Sequence, residues 1–181
     1  VINIESDTIK KLSGRIDDKF VEAVLRLFSC KGRVIVIGIG KSGHIGQKIS
    51  STMTSTGTPS YFIHPAEAIH GDLGMVAKED IVLFISKSGN TPEIKALLPL
   101  VKAMGNNIIG MTGNPSSFLA QESNYVLSVA IQKEACPNNL APTTSTTAQL
   151  VMGDAIAICL LEMRGFDKNN FAKFHPGGSL G

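Results

Sequence analysis

The stretch 34-VIVIGIGKSGHIG-46 decides the fold. An aliphatic strand runs into a glycine-rich turn that carries Lys41, Ser42 and His44. A strand that ends in glycines and opens a helix offers bare backbone N–H groups and the positive end of the helix dipole. Together these cradle an anion. Three kinds of anion fit the letters. The segment 38-GIGKSG-43 matches the dinucleotide fingerprint G-x-G-x-x-G, and 40-GKS-42 looks like the end of a P-loop. The P-loop fails on spacing, because the glycine it requires five positions before Gly40 is Ile35. The dinucleotide reading weakens at the second strand. The acidic residue expected ~20 residues on, at that strand's end, is replaced by His64, with Glu67 a little beyond. A lone sugar phosphate is the third reading.

Working outward, four more apolar runs follow the opening one. They are 60-SYFIH-64, the weakest, then 81-IVLFIS-86, 107-NIIGMT-112 and 125-YVLSVAI-131. The strong runs are apolar on both faces, as in strands of a parallel sheet covered by helices on each side. Helical spacing fills the gaps over 42–56, 92–104, a short piece near 116–121, and 144–164. Before the first strand, Ile9, Leu12, Ile16, Phe20, Val24, Leu27 and Phe28 recur at helical spacing, so one or two amphipathic helices occupy 6–29. Strand–helix alternation of this kind predicts a doubly wound α/β fold with a five-stranded parallel sheet and helices on both faces. Residues 1–32 read as a helical segment packed on one globular unit, 33–181.

The composition agrees. A chain of 181 residues with 43% hydrophobic and 18% charged residues suits one globular core. A net charge of +2 and the lack of a Lys/Arg-rich run argue against nucleic acid as a partner. The apolar stretches fall short of the ~20 residues a membrane span needs, and no signal peptide is visible. Three cysteines, Cys30, Cys136 and Cys159, show no metal-type spacing and point to a reducing, cytoplasmic setting.

In doubly wound sheets ligands bind outside the carboxyl ends of the strands. Those ends read 38-GIGKSG-43, 64-HPAEAIHGD-72, 86-SKSGNT-91, 112-TGNPSS-117 and 132-QKEACPNN-139, all rich in polar chemistry. In 86-SKSGNT-91, Ser86, Ser88 and Thr91 set three hydroxyls around a glycine, immediately before a helix that starts at Pro92 and Glu93. Ser and Thr also cap helices without binding anything. Paired with a second anion loop after the first strand, however, three hydroxyls and free N–H groups suit a single phosphate.

The pair GIGKSGHIG and ISKSGNTPEI resembles the sugar-isomerase (SIS) domain, a flavodoxin-like sandwich that binds phosphosugars. Further stretches, 56-TGTPSYFIHPAEAIHGDLGM-75, 133-KEACPNNLAPTTSTTAQLVMGDA-155 and 174-FHPGGSLG-181, resemble the D-arabinose-5-phosphate isomerases of that family. The likeness runs from Val34 to Gly181. It implies an aldose–ketose isomerase that interconverts ribulose 5-phosphate and arabinose 5-phosphate through an enediol, supplies the precursor of Kdo for lipopolysaccharide, and assembles as a homotetramer. The alternatives are a non-catalytic phosphosugar-sensing module and an isomerase of another phosphosugar. Longer members of the family continue into a pair of CBS repeats. A chain that begins at Val1 and stops at Gly181 is expected to be a trimmed catalytic part.

Enediol chemistry needs a base between C1 and C2, acids for the two oxygens, and a positive group for the developing oxyanion. It needs no cofactor. By resemblance the catalytic set is Lys41, Glu93, Glu134 and His175. Either glutamate can serve as base; Glu134, beside an apolar Ala-Cys-Pro run, is favoured as the more desolvated. Lys41 sits at a helix N-terminus, an unfavourable place for a cation unless an anion lies near. His175, so late in the chain, is placed to reach a neighbouring subunit's site. Substrate-binding residues implied are Ser42, Gly57, Thr58, His70, Ser86, Ser88 and Thr91. The cluster of His64, Glu67, His70 and Asp72 reduces to His64 as an adventitious or inhibitory zinc ligand with no catalytic part. The run 143-TTSTT-147 opens a helix that is apolar nearly all round; its hydroxyls are expected to face the site, and its body to meet another subunit.

Overall fold

A computed structural model of the chain describes residues 1–177. Strand β1 (Val34–Gly38) is buried along its whole length, so it must be covered on both faces and lies inside a sheet. Strands β2 (Ser60–Ile63), β3 (Ile81–Ser86), β4 (Asn107–Thr112) and β5 (Tyr125–Ser128) complete that sheet. The spatial order is β2-β1-β3-β4-β5, and every pairing is parallel. Ile37 faces Ile63 on one side and Phe84 on the other. The chain thus steps outward from β1 to β2, then crosses back to β3. The switch point of a flavodoxin-like order lies between β1 and β3, where ligand crevices open.

Among the described residues eight α-helices cover the sheet: α1 (Ile2–Leu12), α2 (Asp18–Phe28), α3 (Gly40–Ser55), α4 (Pro65–Ile69), α5 (Pro92–Ala103), α6 (Phe118–Glu122), α7 (Thr144–Met163) and α8 (Lys168–Phe174). Side chains alternate across each strand, and the two faces make two cores. Val34, Val36, Leu83 and Ile85 join Leu27, Ile49, Met53, Met152, Ile156 and Leu160 from α2, α3 and α7. Ile35, Ile37, Val82 and Phe84 join Ala68, Ile94, Leu97, Leu98 and Leu119 from α4, α5 and α6. Gly43 allows α3 to lie close against β1, since a Cβ there would stand 2.6 Å from the Gly38 carbonyl oxygen.

The N-terminal segment resolves into two helices, the first starting at Ile2, parted by a 3-10 turn at Ser13–Arg15. Its Leu12, Phe20, Ala23, Val24 and Leu27 belong to the first core. The side chain of Asp17 caps α2 by accepting from the Phe20 N–H at 3.1 Å. Strand β5 is shorter than its apolar run, because its partner β4 ends at Thr112, opposite Ser128. Helices α4 and α8 are too short to leave a periodic signal. Helix α7, at 20 residues, is long and apolar enough by length and composition to cross a membrane. Its Ala148, Met152, Ile156, Ala157 and Leu160 are nevertheless buried in the first core, against α1, α2 and α3. Core burial accounts for its apolar character, although Ile158 on its outer face stays half exposed.

Candidate active site at the switch point

Between the carboxyl ends of β1 and β3 lies a cavity of about 250 Å³, lined by Ile39, Lys41, Ser42, Ile85, Ser86, Lys87, Ser88, Thr91, Pro142 and Ser145. Three helices, α3, α5 and α7, begin at its wall. Their N-cap residues are Ile39, Thr91 and Thr143, and none of the three makes a side-chain cap. By contrast α2, α4, α6 and α8 are capped by Asp17, His64, Ser117 and Asp167. The first N–H groups of a helix have no partner within it, so α3 and α5 point uncapped donors at one space.

The hydroxyl loop between β3 and α5 has a fixed shape. Ser86 Oγ accepts from the Gly89 N–H at 3.1 Å, and Ser88 Oγ accepts from the Asn90 N–H at 3.3 Å. Both hydroxyls therefore keep their own protons for another acceptor. Gly89 has φ +65, and a Cβ there would stand 2.2 Å from Ser117 Oγ, so only glycine fits. Thr91 Oγ1 is buried without a hydrogen-bond partner, as are Ser145 Oγ, Thr144 Oγ1 and Gln149 Oε1. Buried polar atoms are nearly always paired. Of these residues Thr91 and Ser145 line the cavity, where a ligand can supply the missing bonds.

Helix α7 contributes an inner wall that its sequence only hinted at. Gln149 is fully buried, and its Nε2 donates to Ser42 Oγ at 3.2 Å. Ser42 is thereby held as an acceptor, with its proton free to point into the cavity. Lys41, in the first turn of α3, is exposed along this wall and makes no ion pair among the described residues.

Glu134 stands behind the wall. Its side chain has no exposed surface, and Oε1 lies 2.7 Å from Lys87 Nζ. Oε2 accepts from the Thr143 N–H at 3.0 Å, the Thr143 hydroxyl at 3.3 Å and the Ser145 N–H at 3.1 Å. The carboxylate thus caps α7 from outside the helix. Burial raises its pKa, but the Lys87 ammonium and the Ser145 and Thr143 donors more than offset that and hold the carboxyl at about 2. The expected basic, desolvated Glu134 is therefore reversed: desolvation is present, but it is outweighed by charge and hydrogen bonding. Glu93 is different. It is half-buried in the first turn of α5, with no hydrogen bond or ion pair to another described residue. Neither carboxylate lines the cavity itself; Glu134 meets it through Lys87 and Ser145.

The other expected residues lie elsewhere in this chain. Gly57 and Thr58 join the end of α3 to the start of β2, at the amino edge of the sheet. Thr58 is buried, and its hydroxyl accepts from Arg164 Nε at 3.0 Å. A helix of α3's length, at ~1.5 Å per residue, carries the chain from one edge of the sheet to the other. His64 and His70 flank α4 on the rim beyond edge strand β2 and are both exposed. His64 Nδ1 accepts from the Ala66 N–H at 3.2 Å, which leaves Nε2 as its open atom. Among the described residues no three His, Cys, Asp or Glu side chains gather as a metal site. His175 follows α8, stacks on Phe171 at 3.8 Å, and its Nδ1 lies 2.8 Å from the Phe171 carbonyl oxygen. Its neighbours Lys173, Phe174 and Pro176 line a separate cavity with the second half of α3 and the start of β2. Within one chain His175 is thus not brought to Lys41. Residues 178–181 of the 174-FHPGGSLG-181 stretch lie outside the described residues.

Of the residues expected from the sequence, Lys41, Ser42, Ser86, Ser88 and Thr91 line one cavity. Of the 143–147 hydroxyl residues expected to face the site, Ser145 is there. Lys87, hidden between two serines, and Gln149, an ordinary polar residue of an apolar helix by its sequence, carry no signal that marks them.

The model of the SIS domain family matches residues 27–159. The arabinose 5-phosphate isomerase KdsD of Pseudomonas aeruginosa is 57% identical over 180 residues, which are 99% of this chain and 55% of that protein. The KdsD of Escherichia coli K12 is 52% identical over 181 residues, 100% of this chain and 55% of that protein. The chain therefore spans about half the length of these relatives. Among solved structures, Escherichia coli CFT073 c3406 in complex with arabinose 5-phosphate superposes with a TM-score of 0.90 at 44% identity, covering 97% of this chain and 95% of that one.

Proposed function

Because this chain belongs to the SIS domain family, we propose that the switch-point cavity binds a phosphosugar and that the protein interconverts D-ribulose 5-phosphate and D-arabinose 5-phosphate. One observation carries the reading: two uncapped helix N-termini and the unpartnered Thr91 and Ser145 hydroxyls converge on one cavity beside Lys41. A phosphate dianion would satisfy those donors together. Relatives named as arabinose 5-phosphate isomerases, at 57% and 52% identity, narrow the sugar. The Kdo-precursor role goes with that activity.

Ser86, Ser88, Thr91 and the α5 N–H groups hold the phosphate in this reading. Lys41 and Ser42 across the cavity meet the sugar oxygens, with Lys41 stabilising the enediolate. A carboxylate held at about 2 has little drive to accept a carbon-bound proton. Glu93, free of partners among the described residues, is the better base, and Glu134 acts as a fixed anchor at the α7 terminus. His175 serves ring opening or proton relay only from a second copy, which fits assembly as a homotetramer and a site shared between subunits. The reaction needs no cofactor, and His64 holds at most an inhibitory zinc. The three cysteines are all free, in keeping with a cytoplasmic protein.

The test is proton exchange. Arabinose 5-phosphate is incubated with the protein in heavy water containing a metal chelator, and NMR follows C2 deuteration and the appearance of ribulose 5-phosphate. Both are expected. Binding without deuteration would assign the chain to phosphosugar sensing instead. Mixing Glu93→Gln chains with His175→Gln chains should restore part of the activity, and a mixture as inactive as its parts would remove the shared site.

A further inference from the structure

Two lysines line the cavity, but they are not equivalent. Lys41 is uncommitted among the described residues, whereas Lys87 Nζ lies 2.7 Å from Glu134 Oε1. Lys87 is also anchored at its base, since its carbonyl oxygen accepts from the Gly113 N–H at 3.0 Å. The donors of Thr143 and Ser145 take up Oε2, and the Lys87 ammonium faces Oε1. Ser145 both donates to Glu134 and lines the cavity, so the carboxylate sits one residue behind the wall. Among the described residues Lys87 is the sole charged group paired with it; the remaining neighbours are the neutral Thr143, Ser145 and Asn139, with the Cys136 thiol in the same loop.

We propose that Lys87 is a positioning residue whose ammonium cancels the charge of Glu134, so that an incoming phosphate meets no bare carboxylate. The inference rests on the cavity being an anion site. A dianion approaching a buried, uncompensated carboxylate would be repelled strongly, because a low-dielectric wall screens little. Pairing Glu134 with Lys87 makes that wall neutral and leaves Lys41 as the cation that draws the ligand. It also lets the protein keep an ionised carboxylate at the α7 terminus, beside a site for negative charge. Lys87 thus works through Glu134 rather than by touching phosphate.

A double-mutant cycle on the full chain tests this, with inorganic phosphate titrated calorimetrically at one fixed pH and circular dichroism checking the fold. Lys87→Met should weaken phosphate roughly tenfold, the effect of exposing one like charge near the ligand. Glu134→Gln should tighten it, because Lys87 is released. Lys87→Met combined with Glu134→Gln should return to within about threefold of the unaltered protein, and Lys87→Arg should bind as the unaltered protein does. A double variant as weak as Lys87→Met would mean that Lys87 contacts phosphate directly, and would overturn the inference. So would a Lys87→Met protein with undiminished affinity. If Lys87→Met fails to fold, a Glu134→Gln protein that binds no tighter overturns it as well. An unaltered protein that binds no phosphate removes the anion site itself and this inference with it, whereas turnover without these shifts removes the inference alone.

Discussion

Replacing Glu134 by glutamine should change how the protein's stability depends on pH. The carboxyl lies at about 2 in the folded chain against an ordinary 4.5. A depressed folded pKa means that the unfolded chain binds the proton more readily. The stabilisation is therefore complete above pH 4.5 and is lost as the pH falls toward 2. At ~1.4 kcal/mol per pKa unit, the full contribution is roughly 3 kcal/mol. By pH 3.5 about 1.4 kcal/mol of it should be gone. Glutamine keeps the shape and cannot titrate, so urea unfolding of both proteins at pH 7 and pH 3.5 isolates the effect. The gap between them should narrow by that amount on acidification. Asp80 titrates in the same direction in both proteins and cancels in the difference. Burial pushes Asp80 up, but the Ala77 and Arg33 N–H groups and the Arg33 guanidinium hold it below its ordinary value. A gap that stays the same at both pH values would refute the assignment of Glu134 as an ionised, fully held cap.

Two further substitutions separate binding from folding. Thr91→Val removes a buried hydroxyl that has no partner, so thermal stability should hold or rise slightly, while phosphate affinity falls by about 1–3 kcal/mol; calorimetric titration showing undiminished affinity would take Thr91 out of the cradle. Gly89→Ala forces a side chain onto a residue with φ +65 and into Ser117 Oγ, and should cost roughly 1–3 kcal/mol together with phosphate binding, seen as a lower melting temperature and a flat titration. An unchanged melting temperature there would show that the loop tolerates a Cβ.

Much of the fold was legible because its signals are local. The runs that became β1, β3 and β4 are apolar on both faces, and that is itself the mark of a strand covered twice. The hydroxyl loop was legible for the same reason, since Ser86, Ser88, Gly89 and Thr91 lie within six consecutive positions. Two features were not legible. The end of β5 is set by where its partner β4 stops, which the apolar run 125–131 does not encode. Helices α4 and α8 span too few residues to repeat a period.

Sequence alone determined the parallel sheet, the glycine turn after β1, the hydroxyl loop after β3, and the meeting of those two loops at one cavity. These follow from residue type and short-range spacing, which the chain carries within each segment. Tertiary structure decided what each charged residue is worth. Glu134 reads as a desolvated base until Lys87, 47 positions before it, and the start of α7 close around it. Within one chain Gly57 and Thr58 stand at the amino edge of the sheet and His175 follows α8, away from the switch-point cavity, a placement that no local pattern discloses. A pKa and a distance depend on groups remote in the chain, and only folding brings those groups together.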